Sequence, residues 1–131
     1  MRFTWRSDER NRWRSRCWRE SRQHPGVRFE IARISLARRG ELFAALHSLV
    51  KELEFRTADN ELSEQLRAGW LRTQINETYL RWGLKRVENL TIDGQPATAQ
   101  TLIESGPESL CSEIVEAIRS ECGLSEEERK N

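Results

Sequence analysis

Residues Asn60–Gly83 read NELSEQLRAGWLRTQINETYLRWG, and their apolar positions recur every three or four residues instead of alternating. That period predicts one long helix. Ala68, Leu71, Ile75, Tyr79 and Trp82 fall on one stripe. Leu62, Leu66, Trp70 and Leu80 fall on a second, offset by a quarter to a third of a turn at ~100° per residue. Ser63, Arg67, Gln74, Thr78 and Arg81 fill the remaining side and are expected to face water. A helix with two apolar stripes needs cover on two sides. Either helices of the same domain flank it on both, or one stripe receives a partner chain, a second copy included.

Working outward, Val27–Ile34 alternates Val27, Phe29 and Ile31 with Arg28 and Glu30, the pattern of a half-buried strand. Ser35 is placed to cap the helix that follows. There Leu36, Leu42, Phe43, Leu46, Leu49, Val50 and Leu53 form a broad apolar stripe opposite Glu41, Ser48, Lys51 and Glu52, so the helix should pack on one face. Thr57-Ala58-Asp59 breaks the chain and offers a cap for the central helix, and Gly83 suits its far end as a left-handed residue. Val87, Leu90 and Ile92 suggest an extended segment able to pair with Val27–Ile34 in a two-stranded sheet, followed by a turn at Asp93-Gly94-Gln95-Pro96. Thr98 caps a short helix stopped by Gly106-Pro107. The last helix carries Leu110, Cys111, Ile114, Val115, Ala117, Ile118 and Cys122 on one face and ends at Gly123. Ser125-Glu126-Glu127-Glu128 is a capping box that announces a further helix start. The fold class expected is mainly α: about four helices with a minor two-stranded β element, over residues 27–131.

Residues 1–26 read differently. Arg12, Trp13, Arg14, Arg16 and Trp18 belong to an Arg/Trp-rich stretch with few aliphatic residues, and His24-Pro25-Gly26 marks its end. The stretch is expected to be a flexible basic arm. Arginines for phosphates and tryptophans for base stacking are what a single-strand nucleic-acid contact requires. An arm that contacts nothing specific, or a start assigned too early, explains the same residues. The net charge of +1 hides this division. Residues 1–39 hold twelve arginines and four acids (+8), whereas residues 40–131 hold ten cationic and seventeen acidic residues (−7). An acidic body repels nucleic acid, so such a contact would rest on the arm alone.

The chemistry missing from the sequence narrows the function. It contains no Gly-rich phosphate loop, no G-x-S-x-G, no H-E-x-x-H and no acidic ion-binding loop. His24 and His47 are the only histidines, and three cysteines without C-x-x-C point to free thiols in a reducing compartment. No metal, no cofactor and no catalytic residue is expected. The longest apolar run, Leu42–Leu46, is far short of a membrane span, and no apolar core follows the basic N-terminus as in a secretory signal.

Five segments carry a family likeness: VRFEIARISLARRGEL at 27–42, YLRWGL at Tyr79–Leu84, LTIDGQPAT at Leu90–Thr98, LIESGPESL at Leu102–Leu110, and ECGLSEEERKN at Glu121–Asn131. From Val27 onward the chain resembles the small helical tail assembly chaperones of long-tailed bacteriophages and prophages. The resemblance implies a non-enzymatic protein of the infected cell's cytoplasm. Such chaperones coat the long helical tape measure protein, keep it soluble, and leave as tail tube protein polymerises around it. They often occur in a short form and a frameshifted longer form. A tape measure is an amphipathic helix, bound by laying its apolar face in a groove. Leu62, Leu66 and Trp70 would form one wall of that groove, unless helices of the same domain cover them.

Overall fold

The structure, a computed structural model, describes residues 17–57 and 61–123, apart from the side chains of 56 and 57. The alternation at Val27–Ile31 forms strand β2 (Arg28–Ile31), with Val27, Phe29 and Ile31 buried on one face. Strand β3 (Leu84–Glu88) pairs with it antiparallel, as the sequence pattern predicts. The register shifts between Glu30 and Ile31, so that Glu30 faces Arg86 while Ile31 faces Leu84. This bulge at Lys85 lets both Leu84 and Val87 turn inward although three positions separate them.

A third strand corrects the boundary expected at residue 26. Strand β1 (Trp18–Glu20) pairs antiparallel with β2, giving the order β1-β2-β3, so residues 17–26 belong to the folded body and not to the arm. Side chains from both ends of the β1–β2 connection tie it to the last helix. Buried Ser21 donates its hydroxyl to Glu113 Oε1 at 2.6 Å and accepts from the His24 N–H at 2.9 Å, while the Arg22 N–H donates to Glu113 Oε2 at 2.7 Å. Arg19 pairs with Glu121, and His24 Nε2 contacts Ser109 Oγ at 2.9 Å. The partners on the last helix are 85 to 102 positions away in sequence, so the segment reads as a loose arm until that helix is placed.

Helix α1 (Leu36–Thr57) starts where Ser35 Oγ accepts from the Arg38 N–H at 3.2 Å. Helix α2 (Leu62–Gly83) returns antiparallel along it. Residues 58–60, including the cap expected at Asp59, lie outside the described residues; the residue preceding α2 is Glu61, whose side chain makes no capping bond. Helix α3 (Ala99–Ser105) opens with a capping box between Thr98 and Thr101, and α4 (Glu108–Glu121) follows Pro107. Between β3 and α3, β4 (Thr91–Ile92) and β5 (Gln95–Pro96) form a two-residue hairpin whose turn residues, Asp93 and Gly94, both have positive φ. The described residues form four helices, and the fold is mainly α. Phe29 and Ile31 from the sheet, Leu42 and Leu46 from α1, Leu102 from α3, and Leu110, Ile114 and Ile118 from α4 meet in one core.

Gly83 has a different role from the one its position suggested. It is the last residue of α2 and is not left-handed; Leu84 follows directly in extended conformation. Its missing side chain matters because a Cβ there would sit 2.8–3.0 Å from three atoms of the Ile118 side chain. Ile118 is fully buried and has nowhere to retreat.

The apolar stripe of α1 is only partly used. Leu42 and Leu46 are buried, Leu49 and Leu53 half-buried, and Leu36, Phe43 and Val50 exposed. At ~1.5 Å per residue, α1 and α2 are each about 33 Å long, whereas α3 reaches about 10 Å. Sheet, α3 and α4 therefore cover only the end where α1 begins and α2 finishes. From His47 to Arg67 no described residue is fully buried.

Two glycines of α2 should respond oppositely to alanine. Gly83→Ala should cost about 1–3 kcal/mol through the clash with Ile118. Gly69→Ala meets nothing within 4 Å and should stabilise by up to about 1 kcal/mol from helix propensity alone. Urea unfolding of both variants reads the difference.

Candidate functional site

The two stripes predicted for the central helix have separate fates. Ala68, Leu71 and Tyr79 are buried, with Ile75 and Trp82 half-buried, so the first stripe serves the domain. Leu80 of the second stripe is also buried, 3% exposed, beside Leu102 and Ile103 of α3. Leu62, Leu66 and Trp70 of that same stripe are 70%, 67% and 49% exposed. α3 and the start of α4 reach only as far as Thr73 and leave them open.

This exposed run has a defined local shape. Arg67 lies over the Trp70 ring, its guanidinium carbon 4.7 Å from the ring centre, and also pairs with Glu52 of α1 at 3.2 Å. The contact covers one side of the indole and fixes its tilt, for about 0.5–1 kcal/mol at an exposed site. Gly69 leaves a low point between Leu66 and Thr73, with nothing within 4 Å of where its Cβ would be. Past Thr73 a shallow groove continues between α2 and α3, bordered by Asn76, Leu80, Ile103 and Cys111. The surface thus forms a track: open apolar side chains first, then a groove floored by the domain's own core.

Of the residues considered for nucleic acid, only Trp18 lies among the described residues. Arg12, Trp13, Arg14 and Arg16 lie outside the described residues. Trp18 sits half-buried in β1, with the Arg28 guanidinium 4.9 Å from its ring centre. Around it the outer sheet face carries Glu20, Glu30 and Glu88 as well as Arg28 and Arg86, paired as Arg28–Glu88 at 3.5 Å and Arg86–Glu30 at 3.2 Å. Such a face is mixed in sign and is no cationic platform for phosphates.

Among the described residues no cluster of three or more His, Cys, Asp or Glu could hold a metal ion. No helix among them is long and apolar enough to cross a membrane. Cys17, Cys111 and Cys122 are free thiols. Burial pushes the Cys122 thiol above its ordinary 9.0, with Glu121 acting the same way and Arg39 opposing it. Cys111 is raised by burial and by Glu108. Raised values keep both sulfurs protonated at neutral pH, which suits packing and not nucleophilic attack.

Sequence reasoning missed a second groove, on the other flank of α2. It lies where α1 and α2 meet the last turns of α4, with a volume of about 500 Å³ and lining that includes Val50, Leu53, Ile75, Arg72 and Arg119. Ile75 reads as core in sequence, and Arg119 belongs to no pattern there. Only the crossing of α4 brings them together.

In comparisons with known proteins, no family model, curated protein or solved structure matches the chain.

Substitutions on the two stripes should separate cleanly in the isolated protein. Leu66→Asp should change unfolding free energy by no more than about 0.5 kcal/mol, whereas Leu71→Ala should cost roughly 2–5 kcal/mol. Equal losses in urea titrations would place both stripes inside the domain. The thiols predict a pH effect of definite sign. The folded protein holds the Cys122 proton more tightly than the unfolded chain, so this contribution is whole below pH 9.0 and is lost as pH rises through the raised folded value. Urea midpoints should fall in that alkaline range, and Cys122→Ala should flatten part of the slope.

Proposed function

We propose that this protein is a non-enzymatic phage tail assembly chaperone that binds the tape measure protein during tail morphogenesis, acting in the cytoplasm of the bacterial host. The observation that supports this reading most is the exposed run Leu62, Leu66 and Trp70 on a helix whose other apolar residues are buried or half-buried. Two leucines and a tryptophan at helical spacing suit a partner helix laid along α2, with the groove past Thr73 extending the track.

The energetics fit a coating protein better than a tight binder. Burying these three side chains gives on the order of 5 kcal/mol gross. Association itself costs about 4–15 kcal/mol. One copy therefore holds weakly, while many copies along a long amphipathic helix together hide its apolar face. Weak individual binding also allows tail tube protein to displace each copy as the tube grows. Self-association through the same stripe would shield it when no tape measure is present.

Co-expression with a phage tape measure protein tests the proposal. The wild-type chain should keep that protein in the soluble fraction. Leu66→Asp should leave it in the pellet while retaining its own helical circular dichroism. A wild-type chain that fails to hold the tape measure in solution would end the reading.

A further inference from the structure

The groove between α1, α2 and the end of α4 carries an inference that does not rest on the tail chaperone reading. Its floor is apolar: Val50 and Leu53 from α1 and Ile75 from α2, none of them fully buried. Arg72 of α2 and Arg119 of α4 line it, and Glu54 stands on the α1 side. Among the described residues neither Arg72 nor Arg119 is engaged by a hydrogen bond or an ion pair. Arg119 Nε is buried without an acceptor. A guanidinium without a partner favours a charged acceptor over a neutral one, here through its remaining N–H groups.

From this arrangement we infer that the groove binds a helical segment of a partner protein, one that presents a carboxylate beside an aliphatic residue. The aliphatic side chain packs on Val50, Leu53 and Ile75, and the carboxylate meets Arg72 and Arg119. Charge sets the orientation. Glu54 makes the α1 wall negative, so the acid enters on the α2/α4 side, and a multiply charged anion is disfavoured. Two antiparallel helices form the walls of an open trough, the geometry that accepts a third helix. The site lies on the flank of α2 opposite Leu62, Leu66 and Trp70, so one chain can engage two segments at once.

The test uses the full chain and two synthetic alanine-based helical peptides. One presents leucine and glutamate a turn apart on one face; in the other, lysine replaces the glutamate. At low salt the glutamate peptide should shift the Val50, Leu53 and Ile75 methyl resonances saturably, and the lysine peptide should not. Arg72→Gln and Arg119→Gln together should weaken binding about tenfold or more, with the thermal melt of Arg72→Gln alone confirming an intact fold. Leu66→Asp should bind like wild type. Absence of a saturable shift, equal binding of the lysine peptide, or shifts confined to Leu62–Trp70 would each overturn the inference. So would binding seen only when Glu126, Glu127 and Glu128 are changed to Gln, because the chain's own C-terminal residues would then be the occupant.

Discussion

The approach of Ile118 to Gly83 is the constraint on which the remaining architecture depends. Three joins meet at Gly83: it ends α2, it leads directly into β3, and its carbonyl accepts from the Ala32 N–H at 2.7 Å where β2 leaves the sheet. A side chain there would hold α4 off by the width of a methyl group. Because none is present, α4 lies close enough for Leu110, Ile114 and Ile118 to close the core over Phe29 and Ile31. With α4 in that position, Glu113 and Glu121 stand where Ser21, Arg22 and Arg19 need partners, and the first strand is held in place. One absent Cβ therefore governs the packing of sheet, central helix and final helix together.

Length mismatch explains where the chain is left open. Two helices of 22 residues pack on a body built from strands of two to five residues and helices of 7 and 14. The body covers one half of the helical pair and stops. Beyond it, among the described residues, α1 and α2 have only each other along most of their length, and each has more apolar surface than the other covers. Leu62, Leu66 and Trp70 are a consequence of this overhang, and the Val50–Ile75 trough opens at its edge, beside the last turns of α4. Monomeric proteins seldom leave contiguous apolar surface uncovered without a use for it.

The two faces differ in what they can select. The Leu62–Trp70 run is almost purely apolar, with the Arg67 guanidinium stacked on the indole and drawn toward Glu52. Such a surface, as a docking face, would discriminate weakly among helices of suitable spacing. The trough carries two arginines over an apolar floor and so favours one sign of charge in one orientation. On the proposed function, copies lined up along a long partner would gain from both: broad adhesion from the first, register from the second.

Much of the fold was legible in the sequence because it rests on local periodicity and local caps. The helical spacing of residues 62–83, the alternation at Val27–Ile31, Ser35 and Thr98 as caps and the turn at Asp93-Gly94 are properties of neighbouring residues, and the structure contains each of them. The two stripes of the central helix were legible for the same reason, since a helix wheel needs only the order of residues. Which half of the second stripe would be covered was not. Leu80 and Leu66 are equally apolar, and their fates diverge because a short helix, contributed from twenty residues further on, reaches one and not the other. Strand β1 was hidden likewise: Trp18–Glu20 has no strand pattern of its own and is held by β2 and by partners on α4 about a hundred positions away. Sequence determines what each segment can form and which face it must hide; only the tertiary packing decides which faces find cover, because burial depends on the reach of elements distant in the chain.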